Sequence, residues 1–185
     1  YIMGAVEDSL ERLDTDYIDL YQMHFPDTET PIEETLRALE DLITSGKVRF
    51  IGASNFASWQ ISESGWTSLT NELNQFVSLQ TRYSILTRDM EKEILPACEK
   101  HQVSLLPYFP LESGLLTGKV TRDKEPPKGS RLALWKGAFT SEEKFNIIDK
   151  LNDYGAEIGR NILEMSLAWT AHHNQLAADI VGVTC

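Results

Sequence analysis

His24, the pair Ser54-Asn55, Gln80 and Tyr108 follow one another at intervals of roughly 30 residues, the length of one strand–helix repeat. A fifth position, Gly182-Val183-Thr184, lies near the end of the chain. An imidazole, two hydroxyls, two carboxamides and a phenol offer hydrogen-bond donors, acceptors and one aromatic face. Gathered at one place they carry a more specific signal than any one of them. Each alone has an ordinary reading. His24 can be a satisfied structural histidine, and Ser54-Asn55 can shape the turn into a helix. Gln80 can bond to backbone, and Tyr108 can be half-buried packing.

A second signal follows Tyr108. Pro110-Leu-Glu-Ser-Gly114-Leu-Leu-Thr-Gly118-Lys119 places two glycines and a lysine where backbone N–H groups can approach an anion closely. From 119 to 136 the chain carries Lys119, Arg122, Lys124, Lys128, Arg131 and Lys136 against Asp123 and Glu125, a local charge of +4 within a chain of −11. That reversal of sign suggests an anionic ligand such as a dinucleotide phosphate. Ordinary solvated lysines are the competing reading.

Other chemistries lack their residues. The histidines, at 24, 101, 172 and 173, form no HxxxH or HxH metal pair. No GxSxG nucleophile elbow is present. Cys98 and Cys185 form neither a CxxC nor a disulfide framework, so a reducing, cytoplasmic setting is expected. The net charge of −11 argues against nucleic acid as a partner. No run approaches the ~20 apolar residues of a membrane helix, so no membrane partner is expected. Trp59, Trp66, Trp135 and Trp169 are aromatic candidates for pocket walls, with packing the plainer reading.

The elements that must position these residues are legible from pattern. Ile2, Val6, Leu10 and Leu13 predict a helix over 1–12, and Tyr17–Met23 a strand ending at His24. Thr30 as cap, Pro31 at the first helical position and Glu33 in a capping box predict a helix that Gly46 ends. A strand over 48–53 ends at Ser54-Asn55, and a helix is expected over 57–68. A strand over 76–79 ends at Gln80. The helix expected over 90–100 contains Pro96, which should kink it or remove one hydrogen bond. A strand over 103–106 ends at Tyr108. A long segment from 109 to 140 reads as a loop, followed by helices near 141–154 and 159–173 and a strand over 179–183. Strands alternating with helices, without hairpin signals, mean parallel β/α units. A doubly wound sheet and a (β/α)8 barrel compete; the absence of GxGxxG and GxxxxGK[ST] turns and the regular period favour the barrel. Tyr1 opens directly into a helical pattern and the chain stops at a strand end, so a piece of a larger barrel is expected.

The runs Ser9-Leu-Glu-Arg-Leu-Asp-Thr-Asp-Tyr-Ile-Asp-Leu-Tyr-Gln-Met-His24, Gly52-Ala-Ser-Asn55, Leu79-Gln-Thr-Arg-Tyr83 and Pro107-Tyr-Phe-Pro-Leu-Glu-Ser-Gly-Leu-Leu-Thr-Gly-Lys119 together resemble the aldo-keto reductase superfamily, in particular its bacterial and potassium-channel-β-like branch. The resemblance implies α/β architecture: one incomplete (β/α)8 barrel domain over 1–185, cut at both ends and lacking roughly its first three β/α units. It implies an NADP(H)-dependent oxidoreductase that reduces a small-molecule carbonyl to an alcohol by hydride transfer.

The resemblance makes His24 the catalytic residue that orients and polarises the substrate carbonyl. It assigns Ser54, Asn55 and Gln80 to the nicotinamide carboxamide, and Tyr108 to the nicotinamide ring. Phe109, Pro110, Leu111 and Ser113 fall on the pyrophosphate side, Lys119 and Arg131 on the phosphates, and Gly182 and Thr184 on the final cofactor strand and loop. No metal is implied. The family's catalytic Asp, Tyr and Lys have no counterpart in this sequence. The chain alone is therefore expected to be inactive, and, because a sheet without its first three strands cannot close and exposes parallel edges, poorly folded. A non-catalytic, cofactor-binding regulatory relative is the alternative, and a metal-dependent barrel hydrolase a more distant one.

Overall fold

The structure, a computed structural model, describes residues 1–122 and 126–182, without the side chains of 136–138. Four strands alternate with helices: β1 (Ile18–Met23), β2 (Val48–Ser54), β3 (Ser78–Arg82) and β4 (Ser104–Tyr108). Helix α1 (Ile2–Leu13) precedes β1, and α2 (Ile32–Thr44), α3 (Ser58–Asn71) and α4 (Ile94–His101) connect the strands. After β4 come α5 (Arg131–Phe139), α6 (Glu142–Ile158) and α7 (Ile162–Ala171). The strands lie in the order β1-β2-β3-β4. A doubly wound sheet reverses its order at a switch point, whereas a barrel adds each strand beside the last. The sheet is thus a partial (β/α)8 barrel. In the β1–β2 ladder Gln22 faces Gly52, and in the β2–β3 ladder Gly52 faces Ser78 and Ser54 faces Gln80.

The chain divides into two compact units, Tyr1–Thr81 with Met90–Leu106, and Arg82–Asp89 with Pro107–Cys185. In the first, helix α2 shows why these segments fold as they do. Thr35, Leu36, Leu39 and Leu42 recur at helical spacing and are buried. Glu33 and Glu34 sit in the first turn, where negative charge complements the N-terminal dipole. The expected Thr30 cap is not used. The helix starts from Pro31, and the Thr30 hydroxyl donates instead to Asp27 at 2.7 Å. Pro96 does not kink α4, because it is the third helical residue, where the N–H has no intrahelical acceptor to lose. Strand β3 starts two residues later than expected, and Phe76 joins the core before it. Cys98 on α4 is fully buried, and burial, with Glu99 beside it, pushes its thiol up to about 12.

The second unit packs Leu115, Leu116, Val120, Leu132, Phe139, Phe145, Ile148 and Ile162 together. The segment after β4 is not the open loop the sequence suggested. It holds a 3₁₀ stretch at Glu112–Thr117 and the kinked helix α5, both contributing to this core. The expected last strand is reduced to a parallel bridge between Ile180 and Tyr108 among the described residues. Helix α6 begins at Ser141, whose hydroxyl accepts from the Lys144 N–H at 3.2 Å. At Gly155 a β-carbon would lie 2.4 Å from the Arg160 carbonyl oxygen, so the return into α7 requires glycine.

Glu112 is 0% exposed. Its Oε1 accepts from the Ser84 and Thr87 hydroxyls, each at 2.8 Å. Its Oε2 accepts from Arg82 at 2.8 Å and Lys144 at 2.6 Å. Burial by itself raises a carboxyl pKa, but the bonds from Lys144, Thr87 and Ser84 and the Arg82 charge outweigh it and hold Glu112 below its ordinary value.

Three measurements follow from this packing. Cys98 should resist iodoacetamide until the chain is unfolded, as read by peptide mass analysis, and labelling in the native state would contradict its burial. Gly155→Ala should cost about 1–3 kcal/mol in urea unfolding, the range for forced overpacking. A carboxyl depressed in the folded state stabilises that state above its unfolded pKa and loses the contribution as pH falls through the folded value. Stability should therefore fall in acid below the ordinary glutamate range, and Glu112→Gln should flatten that part of the profile measured by denaturant titration.

Candidate active site

In the first unit, period-2 alternation puts Gln22, Gly52, Ser54, Ser78 and Gln80 on one face of the sheet. Gln22 Nε2 donates to Gln80 Oε1 at 3.3 Å, and Ser78 Oγ donates to Gln22 Oε1 at 3.4 Å. Gly52 lies in the middle of this row. A β-carbon there would stand 2.4 Å from Ser78 Oγ and 3.1 Å from Gln22 Cγ, so only glycine lets the row close up. Asn55 follows β2 at a positive φ of 61°, a conformation asparagine tolerates better than most residues. Its N–H donates to the Gln80 carbonyl at 3.0 Å, and its Nδ2 donates to the His24 carbonyl at 3.0 Å and to Ser54 Oγ at 3.1 Å.

One asparagine thus ties together the ends of three strands. Ser54 is buried and Gln80 half-buried. The Gln80 amide NH₂ has no acceptor among the described residues, which leaves a donor beside the Ser54 and Asn55 groups. The His24 ring is exposed and lies 4.5 Å from the Phe25 ring.

The sequence singled out His24, Ser54, Asn55 and Gln80, and the structure brings them to neighbouring strand ends. It did not single out Gln22 and Ser78. Their signal was available: each lies two residues before a chosen position, on the same face of its strand.

In the second unit the site residues gather around Phe109, which has a φ of 56°. Tyr108 packs edge-on against Phe109 at 5.3 Å, and Phe139 does the same at 5.0 Å. The Arg131 guanidinium lies over the Phe109 and Trp135 rings, 5.7 Å and 5.9 Å from their centroids. Ile180 N–H donates to the Pro107 carbonyl at 2.9 Å, which holds the terminal segment beside β4. Gly182 then lies next to Arg131, whose guanidinium nitrogens are 3.8 Å and 3.9 Å from where a β-carbon would stand.

Pro110 is buried and Leu111 packs against the unit's core. Glu112 and Ser113 adopt positive φ of 49° and 56°, followed by Gly114 at 106°. Ser113 Oγ is buried without a hydrogen-bond partner, an unusual condition for a hydroxyl.

Lys119 is exposed. Arg122 is withdrawn from the basic segment by ion pairs with Glu142 and with Asp149, the latter at 2.9 Å. Thr184 and Lys124 lie outside the described residues.

The tryptophans divide. Trp169 packs on Tyr83 and His173, and Trp135 joins the Phe109 group. Trp59 lines a cavity of about 300 Å³ in the first unit with Met23, Pro26, Asp27, Phe56 and Glu63. Trp66 borders a shallower groove beside His101. None of the predicted cofactor residues lines that larger cavity.

Among the described residues no cluster of three metal-ligating side chains occurs, and no helix is long and apolar enough to cross a membrane.

The aldo/keto reductase family model matches residues 1–185. The chain is 36% identical over 189 residues to an NADH-specific methylglyoxal reductase of Escherichia coli, covering 99% of this chain and 55% of that one. It is 34% identical over 177 residues to the versiconal hemiacetal acetate reductase of Aspergillus parasiticus, covering 94% and 51%. The glycerol dehydrogenase of Gluconobacter oxydans superposes with a TM-score of 0.79 at 33% identity, covering 97% of this chain and 54% of that structure. The chain spans about half the length of the curated relatives it matches. Motif, strand order and these likenesses agree: the chain belongs to the aldo/keto reductase family.

Proposed function

We propose that this chain is the cofactor-holding part of an NADP(H)-dependent carbonyl reductase, one domain over residues 1–185, working on a small aldehyde or ketone in the cytoplasm. The observation that carries the reading is the group at the strand ends of the first unit: Ser54, Asn55 and Gln80, joined by hydrogen bonds and leaving the Gln80 amide NH₂ without an acceptor among the described residues. A carboxamide needs both donors and acceptors, and these three side chains supply both. Gln22 donates to the Gln80 side chain and is itself held by the Ser78 hydroxyl.

In the second unit Tyr108 offers a ring face for the nicotinamide. Phe109, Pro110, Leu111 and Ser113 would lie on the pyrophosphate side, Lys119 and Arg131 would reach the phosphates, and Gly182 and Thr184 would belong to the final cofactor strand and loop. A bound reduced nicotinamide would supply the hydride. His24 would donate a hydrogen bond to the substrate carbonyl oxygen and stabilise the negative charge that develops there. The family's Asp, Tyr and Lys are not in this sequence, so the chain supplies no proton donor of that kind and should bind cofactor without turning over substrate.

The phosphate preference follows from charge. Arg131 and Lys119 have no carboxylate partner among the described residues, so both are available to the extra phosphate of NADP(H). The name of the Escherichia coli relative specifies NADH for that protein, which makes the comparison of the two cofactors informative.

Titration of the full-length protein that carries this chain with NADPH and NADH, followed by energy transfer from tryptophan to the nicotinamide, tests this directly. Saturable binding is expected, tighter for NADPH. Arg131→Ala should narrow the gap between the two, while Gln80→Ala should weaken both by about tenfold, the cost of roughly one buried hydrogen bond to the ligand. Absence of saturable binding to either dinucleotide would reject the reading. Equal affinity for both would reject the NADP(H) part alone.

A further inference from the structure

We propose that Glu112 is a positioning residue for the cofactor: its buried carboxylate sets the path of the Phe109–Gly114 backbone and so aims Ser113. The proposal rests on the cofactor reading of residues 108–113 given above.

The geometry supporting it is local to the second unit. The Glu112 carboxylate receives four hydrogen bonds from two separate stretches of chain, residues 82–87 and α6. They come from Arg82 at the end of β3, from Ser84 and Thr87 in the turn after it, and from Lys144 in α6. Ser84 Oγ is itself fixed, since it accepts from the Leu86 and Thr87 N–H groups at 3.2 Å and 3.0 Å. Arg82 is braced from the other side, with its guanidinium 4.5 Å from the Phe139 ring centroid. Glu112 cannot shift without breaking several of these contacts.

The backbone it anchors is strained. Phe109, Glu112 and Ser113 all adopt positive φ, a region that L-residues other than glycine rarely occupy. Two backbone bonds, Glu112 N–H to the Phe109 carbonyl and Gly114 N–H to the Leu111 carbonyl, both 2.9 Å, tighten the same turn. The residue that this arrangement places next is Ser113, whose buried Oγ has no hydrogen-bond partner among the described residues. A side chain with four partners thus stands directly before one with none. That division of labour is what a rigid support and a ligand-facing group require.

A purely structural role would make Glu112 important for stability and irrelevant to cofactor affinity in the molecules that remain folded. The two roles separate in a double-mutant cycle on NADPH affinity, with melting temperature recorded in parallel. Glu112→Asp keeps the charge and withdraws the carboxylate by one methylene, and Ser113→Ala removes the aimed hydroxyl. Positioning predicts that Glu112→Asp weakens NADPH 10- to 100-fold, that Ser113→Ala weakens it 3- to 10-fold, and that the double variant is no weaker than Glu112→Asp.

Folded Glu112→Asp with unchanged NADPH affinity would overturn the proposal, and so would two losses that multiply in the double variant. If Glu112→Asp fails to fold, Thr87→Val removes one donor while leaving both ion pairs. It should weaken NADPH several-fold, and an unchanged affinity there would overturn the proposal equally. All variants are made in the full-length protein that carries this chain, and failure of the cofactor reading itself looks different, because the folded, unaltered protein would then bind neither NADPH nor NADH.

Discussion

A carboxylate removed from water must be met by donors or give up its charge. Glu112 is met by four, and the second unit is arranged around that requirement. The end of β3, the turn behind it and the start of α6 are each held at hydrogen-bond distance from one pair of oxygens. None of these stretches is bound to another by a continuous ladder. The apolar cluster of Leu115, Leu116, Leu132, Phe139 and Phe145 packs the same unit with non-directional forces, which fix density better than register. The carboxylate supplies the direction. Positive φ at three residues after β4 is tolerable because so much else is tied to the same place.

The first unit meets the equivalent demand with neutral groups. Its strand ends are joined by amides and hydroxyls: Asn55 to His24 and Gln80, Gln80 to Gln22, Gln22 to Ser78. Neutral donors and acceptors cost less to desolvate than ions, and each carboxamide can serve two partners at once. The price is paid in side-chain volume, since the row closes only because position 52 carries no β-carbon.

Much of this was legible in the sequence. Helical and strand periods recur about every 30 residues because each β/α unit must bury one helix stripe and one strand, and that gave the barrel and the ends of its strands. The candidate residues at those ends were chosen on the same ground, because barrel chemistry sits where strands finish. The misses have identifiable causes. Thr30 had the right type for a cap, but its hydroxyl found Asp27 first. Pro96 reads as a breaker only if its depth in the helix is unknown. The 109–140 segment looked like loop because its glycines and lysines hide the apolar residues of a 3₁₀ stretch and a short helix that pack into a core made elsewhere in the chain. The Glu112 cage was illegible: its partners lie 25 to 32 residues away, and nothing in their types or spacing announces that they meet.

Arg122 and Arg131 look interchangeable in the sequence, two arginines of one basic segment. Arg122 is engaged by Glu142 and Asp149, so any anion seeking it must first displace a carboxylate. Arg131 rests on the rings of Phe109 and Trp135. A ring face holds a guanidinium in place without occupying its in-plane N–H donors. Arg131 is therefore an oriented cation with no carboxylate partner among the described residues. An anion that met it would face the shedding of water, whereas one that met Arg122 would first have to open an internal ion pair.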